Sequence, residues 1–307
     1  MQAPLRIAVL GPGGVGGLLA ALLAGDGHDV VCLAGEATSS ALRRAGLRLD
    51  SAQFGSRAVQ VEAAELLDHA VDACLVTVKA TQLDDALRRL PAQVLGAALL
   101  VPLLNGVEHM ALLRERYPRA AVAAATIRVE SARLGPGQIR HSSPFASIEL
   151  CTAPGMDRLA QALEHAGPSV RIREDETALL WDKLGFLVPL ALLTTVTGQS
   201  AGVVREQWRD DLVAVIAEIA AVARAEEAPG DSQAVLTAFD SLPPAMRSSM
   251  QRDAENARPL ELDALGGAVL RAAARHGLDV PVTARIVAEL SSDPQVRWSE
   301  SPRIQPM

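Results

Sequence analysis

The chain opens on a short apolar run at residues 5–10, then a glycine-rich turn, then a second apolar stretch at 14–24 long enough for a helix. Further short apolar runs at 29–34, 71–78 and 97–104 alternate with helix-length segments near 37–45, 83–90 and 107–117. Strand–helix alternation of this kind predicts a parallel, doubly wound sheet. From 126 to 150 the pattern is extended, with Gly135-Pro136-Gly137 as a turn between strands. Residues 156–165 then read as a helix and 169–173 as a closing strand. Past Glu174 the spacing becomes helical and rich in alanine and leucine, with helices near 175–198, 206–226, 231–239, 243–256, 259–276 and 281–290. The prediction is an α/β chain: a doubly wound sheet domain over residues 1–173, then an all-helical domain over 174–307. The tail from Ser291 on carries three prolines and mixed polarity and is expected to be poorly ordered. No internal repeat or low-complexity tract interrupts this plan.

Composition narrows the class. At 307 residues there is room for about two domains, and 49% hydrophobic with 21% charged residues describes a folded globular chain. Cys32, Cys74 and Cys151 are scattered without a CxxC or histidine pairing, which fits a reducing compartment and no metal site. The start, MQAPLRIAVLG, runs directly into a strand, so no signal peptide is expected and the cytoplasm is the expected location. The apolar run 184–197, broken by Gly185 and Pro189, is read as too short for a bilayer, which takes about 20 residues. A net charge of −7 without a basic cluster argues against nucleic acid, leaving a small molecule as the expected partner and a homodimer compatible with it. One oddity stands out: the 29 basic residues include only two lysines, Lys79 and Lys183, the rest being arginine. Asparagine is equally scarce, with only Asn105 and Asn256. A coding bias against both residue types would spare a lysine where an ammonium with a movable pKa is required, because guanidinium cannot give up its proton.

The first motif is Gly11-Pro12-Gly13-Gly14-Val15-Gly16, a GxGxxG between an apolar strand and an apolar helix. The first glycine allows the tight turn, the second lets backbone approach a pyrophosphate, and the third permits close strand–helix packing over a helix N-terminus that attracts anions. This predicts a Rossmann-type dinucleotide-binding domain, an ordinary glycine-rich turn being the alternative. The second strand ends Cys32-Leu33-Ala34-Gly35-Glu36. Glu36 could take a ribose hydroxyl, as in NAD binding, or be a solvated loop residue; Arg43 and Arg44 follow a turn or more later. Lys79, in Val76-Thr77-Val78-Lys79-Ala80-Thr81-Gln82, and Asn105, before Gly106, lie at the C-terminal ends of successive strands, where such sheets bind ligands. Lys79 could reach a cofactor phosphate or ribose or simply cap an exposed strand end; Asn105 could contact nicotinamide ribose or substrate, or sit in a plain turn.

In the helical half, Lys183 sits in Leu180-Trp181-Asp182-Lys183-Leu184, with Leu179, Leu187 and Ala191 at four-residue spacing on its face. Partial desolvation would lower its pKa toward neutrality and suit it as a general acid for a carbonyl oxygen. It could equally snorkel from the helix edge. Pro259 is read as opening a helix with Glu261 in its first turn, where an acid complements the dipole or balances Lys183. Ser249 could donate to a carboxylate.

Taken together, GPGGVGG, VTVKATQ, LLNGVEH, PGQIRH, LLWDKL, SSMQRDAENARPLELDALGG and RHGLDVPVT, in this order and spacing, resemble the ketopantoate reductases (2-dehydropantoate 2-reductases) of the 6-phosphogluconate-dehydrogenase-like superfamily. The resemblance implies reduction of a 2-oxo acid to a D-2-hydroxy acid by NADPH, a step toward pantothenate and coenzyme A. It implies Lys183 as catalytic acid, Glu261 as its partner carboxylate with a share in the cofactor site, and Ser249 as a substrate ligand. Lys79, Asn105 and Ala132 match residues at the cofactor, with Asn105 also at the substrate. Three positions depart from the family pattern. Leu187 and Ala191 stand where asparagines grip the substrate, and Gly35 stands where an arginine for the 2′-phosphate is frequent. Leucine cannot hydrogen-bond, and each unmet partner costs about 1–3 kcal/mol, so a more apolar 2-oxo acid or ketone is the second expectation. NADP is the expected cofactor with NAD open, and a dinucleotide-binding sensor without chemistry is the alternative of a different class. The expected mechanism has the Lys183 ammonium in the interdomain cleft protonating the carbonyl oxygen as hydride arrives.

Overall fold

The computed structural model describes residues 3–292, so the expectation for the tail beyond Ser292 lies outside the described residues. The chain divides into two compact units, one within Met1–Leu104 and His109–Leu179, the other within Asn105–Glu108 and Leu180–Met307.

The first unit is built on β1 (Arg6–Leu10), α1 (Gly14–Gly25), β2 (Asp29–Leu33) and α2 (Glu36–Ala45). A hairpin of β3 (Leu47–Ser51) and β4 (Gly55–Val59) follows, then β5 (Glu62–Ala64), β6 (Ala73–Val76), α3 (Leu83–Leu87), α4 (Ala92–Leu95) and β7 (Leu99–Pro102). The unit finishes with α5 (His109–Arg116), β8 (Ala121–Val122), β9 (Ala125–Arg128), β10 (Ser131–Gly135), β11 (Gln138–His141), β12 (Ser147–Cys151), α6 (Met156–Ala166) and β13 (Ser169–Arg173). Six strands form one all-parallel sheet in the order β5-β2-β1-β6-β7-β8. Its central strands β1, β2, β6 and β7 are apolar beyond their first residues because both faces are covered. Ile7, Val9, Val30, Cys32 and Leu75 enter one core, while Ala8, Leu10, Val31, Leu33, Cys74 and Val76 enter the other. This is the doubly wound sheet read from the sequence.

Two smaller sheets complete the unit. The extended region from 126 to 150 splits between β10-β11-β3-β4 and β13-β12-β9. The hairpin β3–β4 and the edge strand β5 were not among the predicted elements. Leu47, Leu49 and Ser51 are buried while Arg48 and Asp50 are exposed, so β3 is a one-face-buried strand of period two. β5 has three residues, too few for a periodic signal.

The second unit is helical: α7 (Glu176–Thr197), α8 (Ala201–Gln207), α9 (Arg209–Ala225), α10 (Ser232–Asp240), α11 (Ser249–Glu255), a π-helical turn at Asp263–Gly267 running into α12 (Ala268–Arg275), and α13 (Pro281–Ser292). Several expected boundaries move. The helix read over 206–226 is two, broken at Trp208. The helix read from Pro243 begins only at Ser249, because the intervening backbone is used to cap α8: Ala201 N–H donates to the Met246 carbonyl and Gly202 N–H to that of Pro244, at 2.9 and 3.0 Å. The apolar run 184–197, read as too short for a membrane, belongs to a 22-residue helix that is long and apolar enough to cross one by length and composition. Its most apolar window is 61% buried inside the protein, as in a core helix, with Val188 and Leu192 fully enclosed. The helix is continuous through Pro189, whose missing N–H leaves the Gly185 carbonyl without its i+4 donor.

Candidate functional site

In the first unit, the three motif glycines divide their roles as the chemistry requires. Gly11 has φ +88°, and a Cβ there would lie 2.3 Å from Val78 Cγ1, so the turn needs glycine twice over. At Gly16 a Cβ would meet Thr77 Oγ1 at 2.2 Å and the Gly11 carbonyl oxygen at 2.4 Å, which brings α1 down onto the strand ends. Thr77 holds that corner, its hydroxyl lying 2.8 Å from the Gly11 carbonyl and 3.1 Å from that of Leu10. Gly13 differs. A Cβ there would find no protein atom nearer than the Gly11 oxygen at 3.9 Å, so the space in front of it is open. Gly13 is the N-cap of α1; no side chain caps that helix and no acid sits in its first turn. An uncapped N-terminus above an open cradle fits the pyrophosphate of a dinucleotide.

Neighbouring candidates gather there. Gly14 packs against the start of β10, where a Cβ would lie 2.2 Å from the Ser131 carbonyl oxygen and 3.1 Å from the Ala132 Cα. Ser131 Oγ donates to the Gly14 carbonyl at 2.7 Å. Ala132 is therefore set beside the glycine loop with its side chain exposed. The need for glycine at position 14, an unconstrained place in the GxGxxG pattern, was not legible without β10. Pro12 is buried and Val15 half-buried. Lys79, half-buried, precedes a single 3₁₀ turn beyond β6. Past β2, Gly35 caps α2 and Glu36, its first residue, faces solvent.

In the second unit Lys183 lies half-buried on α7. Leu187 is half-buried and Ala191 is enclosed. Glu261 is 7% exposed, and Asn105 Nδ2 donates to its Oε2 at 3.0 Å. The predicted setting of Glu261 is corrected: the helix starts at Leu262, not at Pro259, and Glu261 stands just before it, its carbonyl accepting the Leu265 N–H at 3.0 Å. The π-helical turn follows directly, and such turns recur at functional sites. Two features lock Asn105 onto it. Gly106 has φ +92°, and a Cβ there would sit 2.6 Å from the Ala264 carbonyl oxygen, inside the π turn. Arg271 grips Glu108 with two hydrogen bonds, 2.9 and 2.7 Å, and Asp263 with another at 2.7 Å. The Glu108 hydrogen bond, working against burial, raises the Arg271 pKa still further. Neither Glu108 nor Arg271 was singled out from sequence, since charges on a helix face carry no pattern of their own.

Ser249 is exposed at the first position of α11. Its neighbour Ser248 is buried and caps that helix, accepting the Gln251 N–H at 3.0 Å, with Thr194 Oγ1 2.8 Å from its hydroxyl. The serine pair thus splits into one structural and one accessible hydroxyl. Among the described residues no cluster of His, Cys, Asp or Glu could hold a metal.

Comparison with known proteins bears on the chain as a whole. Residues 7–154 match the family model described as ketopantoate reductase PanE/ApbA, and residues 176–292 match its C-terminal counterpart. The 2-dehydropantoate 2-reductase of Mycobacterium tuberculosis is 32% identical over 295 residues, covering 93% of this chain and 97% of that protein. The crystal structure of a PanE/ApbA family ketopantoate reductase from Ralstonia eutropha superposes with a TM-score of 0.85 at 28% identity, covering 92% of this chain and 96% of that one. D-mandelate dehydrogenase with NADH and anilino(oxo)acetate also reaches a TM-score of 0.85, covering 93% of this chain and 97% of that one; at 20% identity this is a likeness of fold. The chain belongs to the ketopantoate reductase family, oxidoreductases that use a nicotinamide dinucleotide.

Proposed function

We propose that this chain reduces a 2-oxo acid to the 2-hydroxy acid, with Lys183 as proton donor. The observation that carries the reading is the enclosed Glu261 carboxylate. It is held by the Asn105 amide beside a π turn, in the same unit as Lys183, the one lysine of that unit. A buried carboxylate needs hydrogen-bond or charge partners, and the Gly106 and Arg271 locks keep one of them fixed.

A nicotinamide dinucleotide, when bound, supplies the hydride. Gly11, Pro12, Gly13, Gly14, Val15 and Gly16 would hold its pyrophosphate through the free N–H groups of α1. Ala132, set beside that loop, would flank it, and Lys79, Asn105 and Glu261 are assigned to the cofactor as well. As the carbonyl oxygen gains electron density, the Lys183 ammonium donates a proton to it, yielding the hydroxyl and a neutral amine. Glu261 balances the ammonium, and the exposed Ser249 hydroxyl would donate to the substrate carboxylate.

A second reading of the substrate is favoured by Leu187 and Ala191. With Leu187 half-buried and Ala191 enclosed, neither position offers a hydrogen bond, so the substituent next to the carbonyl is apolar rather than hydroxylated. 2-Dehydropantoate, whose side chain carries a hydroxyl, is therefore the substrate to set against unbranched, branched and aromatic 2-oxo acids. Following NADPH and NADH absorbance across that panel tests the reading. Cofactor oxidation with one or more of these acids supports it, and binding of cofactor without oxidation on every acid overturns it in favour of a non-catalytic sensor. The domain limits we adopt are 1–173 for the dinucleotide-binding half and 174–307 for the helical one.

A further inference from the structure

Resting on the dinucleotide reading of the glycine loop, we infer that Arg89 recognises a 2′-phosphate, and so selects NADPH over NADH. In doubly wound sheets the end of the second strand meets the adenosine ribose; an acid there takes the hydroxyls, and an arginine takes a 2′-phosphate. Here β2 ends at Leu33, Ala34 is buried, Gly35 has no side chain, and the exposed Glu36 opens α2. Residues 34–36 thus present no cation of their own.

A guanidinium comes from another element instead. Arg89 follows α3, and its Nη2 lies 3.5 Å from the point a Gly35 Cβ would occupy. Its Nη1 donates to the Glu65 carbonyl at 3.1 Å, immediately past β5, the strand paired with the outer side of β2. The Arg89 carbonyl accepts the Leu67 N–H at 2.9 Å, which ties the turn after α3 to the same corner. Anchoring on a carbonyl orients the side chain without neutralising it. Arg89 is half-buried and has no carboxylate partner among the described residues, whereas Arg6, Arg114, Arg271 and Arg285 all do. A charged fork, pre-oriented at the ribose end of β2 with Nη2 still free to donate, is what bidentate phosphate recognition uses.

The absence of a side chain at Gly35 then has a use. Any Cβ would already touch Arg89 Nη2, and an arginine at 35 would bring a second guanidinium into the same space. The two positions are alternatives for one charge. Glu36, as the first residue of α2, complements that helix's dipole and needs no ligand to explain it.

The test is calorimetric titration with 2′,5′-ADP and 5′-ADP, which reads binding without turnover. The wild type is expected to hold 2′,5′-ADP about 10- to 100-fold more tightly, the worth of a charge-assisted pair. Arg89→Ala and the polar variant Arg89→Gln are expected to bring the two ligands to near-equal affinity with 5′-ADP binding unchanged, and Gly35→Arg added to Arg89→Ala to restore the preference. Arg89→Gln can retain a hydrogen bond to Glu65 and so covers the case in which Arg89→Ala fails to fold. Retained discrimination in Arg89→Gln, or a wild-type preference for 5′-ADP that Glu36→Gln abolishes, overturns the inference while leaving the dinucleotide site standing. If the wild type binds neither ligand, the dinucleotide site itself falls and the inference with it.

Discussion

Replacing Gly13 and Gly16 by alanine, one at a time, separates the two jobs of the glycine loop. At Gly16 the new methyl would lie 2.2 Å from Thr77 Oγ1 and 2.4 Å from the Gly11 carbonyl oxygen. The second neighbour is backbone and cannot swing aside. Overpacking of this kind costs about 1–3 kcal/mol. Displacing Thr77 would also give up its bonds to Leu10 and Gly11, about 1 kcal/mol each. Against this, alanine in a helix interior gains about 1 kcal/mol over glycine. The net expectation for Gly16→Ala is a loss of about 2–4 kcal/mol, a large part of a domain's stability. Gly13 has φ −80° and ψ −151°, which alanine adopts freely, and its methyl would meet nothing within 3.9 Å. Gly13→Ala should fold with a loss below about 1 kcal/mol, the cost of a poorer N-cap. Its methyl would stand where the pyrophosphate must approach, so dinucleotide affinity should fall at least about tenfold, or 1.4 kcal/mol. Urea denaturation gives the first quantity and fluorescence titration with NADPH or NADH the second. A Gly13→Ala protein that binds dinucleotide like the wild type would refute the reserved-space argument, as would a Gly16→Ala protein of unaltered stability.

Three further outcomes are expected. Asn105→Leu should destabilise by about 1.5–3 kcal/mol, since it removes a donor from the enclosed Glu261 carboxylate, and should weaken cofactor binding as well; a change in neither denaturation midpoint nor affinity would contradict the placement. Burial works against ionisation of Glu226, but its hydrogen bonds to Arg275 and His276 prevail and hold the carboxyl below its ordinary range. A carboxyl so depressed adds stability above its unfolded pKa and loses it as pH falls through the folded one, so Glu226→Gln should cost about 0.5–1 kcal/mol at neutral pH and nothing once acid has protonated the wild type. Burial pushes the thiols of Cys32 and Cys74 up to about 12 and raises that of Cys151, so Ellman's reagent should find no thiol in the native protein and three after unfolding; rapid native labelling would contradict the packing.

Much of the first unit was legible because its signals are local. Five-residue apolar strands and a GxGxxG between strand and helix are self-contained, and the positive φ of Gly11 and the tight packing at Gly16 are what that motif prescribes. What escaped depended on partners distant in sequence. Leu47-Arg48-Leu49-Asp50 carries a readable alternation, but β3 is completed by pairing with β11, some 90 residues on. The segment 243–248 has apolar residues at helical spacing, yet its carbonyls are spent on α8. Glu261 was read as lying in the first turn of a helix opened by Pro259 and instead stands just before a helix that starts at Leu262; the π turn behind it and the Gly106 and Arg271 locks that seat Asn105 are tertiary. Gly35 was legible only as a missing arginine; the guanidinium beside it comes from a residue more than 50 positions away.

The account rests on the Lys183 ammonium delivering the proton, and Lys183→Ala tests that most directly. Single-turnover oxidation of NADPH or NADH with the best 2-oxo acid should slow by about 10²- to 10⁴-fold, the usual worth of a positioned general acid, while cofactor affinity stays within about twofold of the wild type. A variant that turns over at the wild-type rate, with its cofactor bound as before, would contradict the assignment.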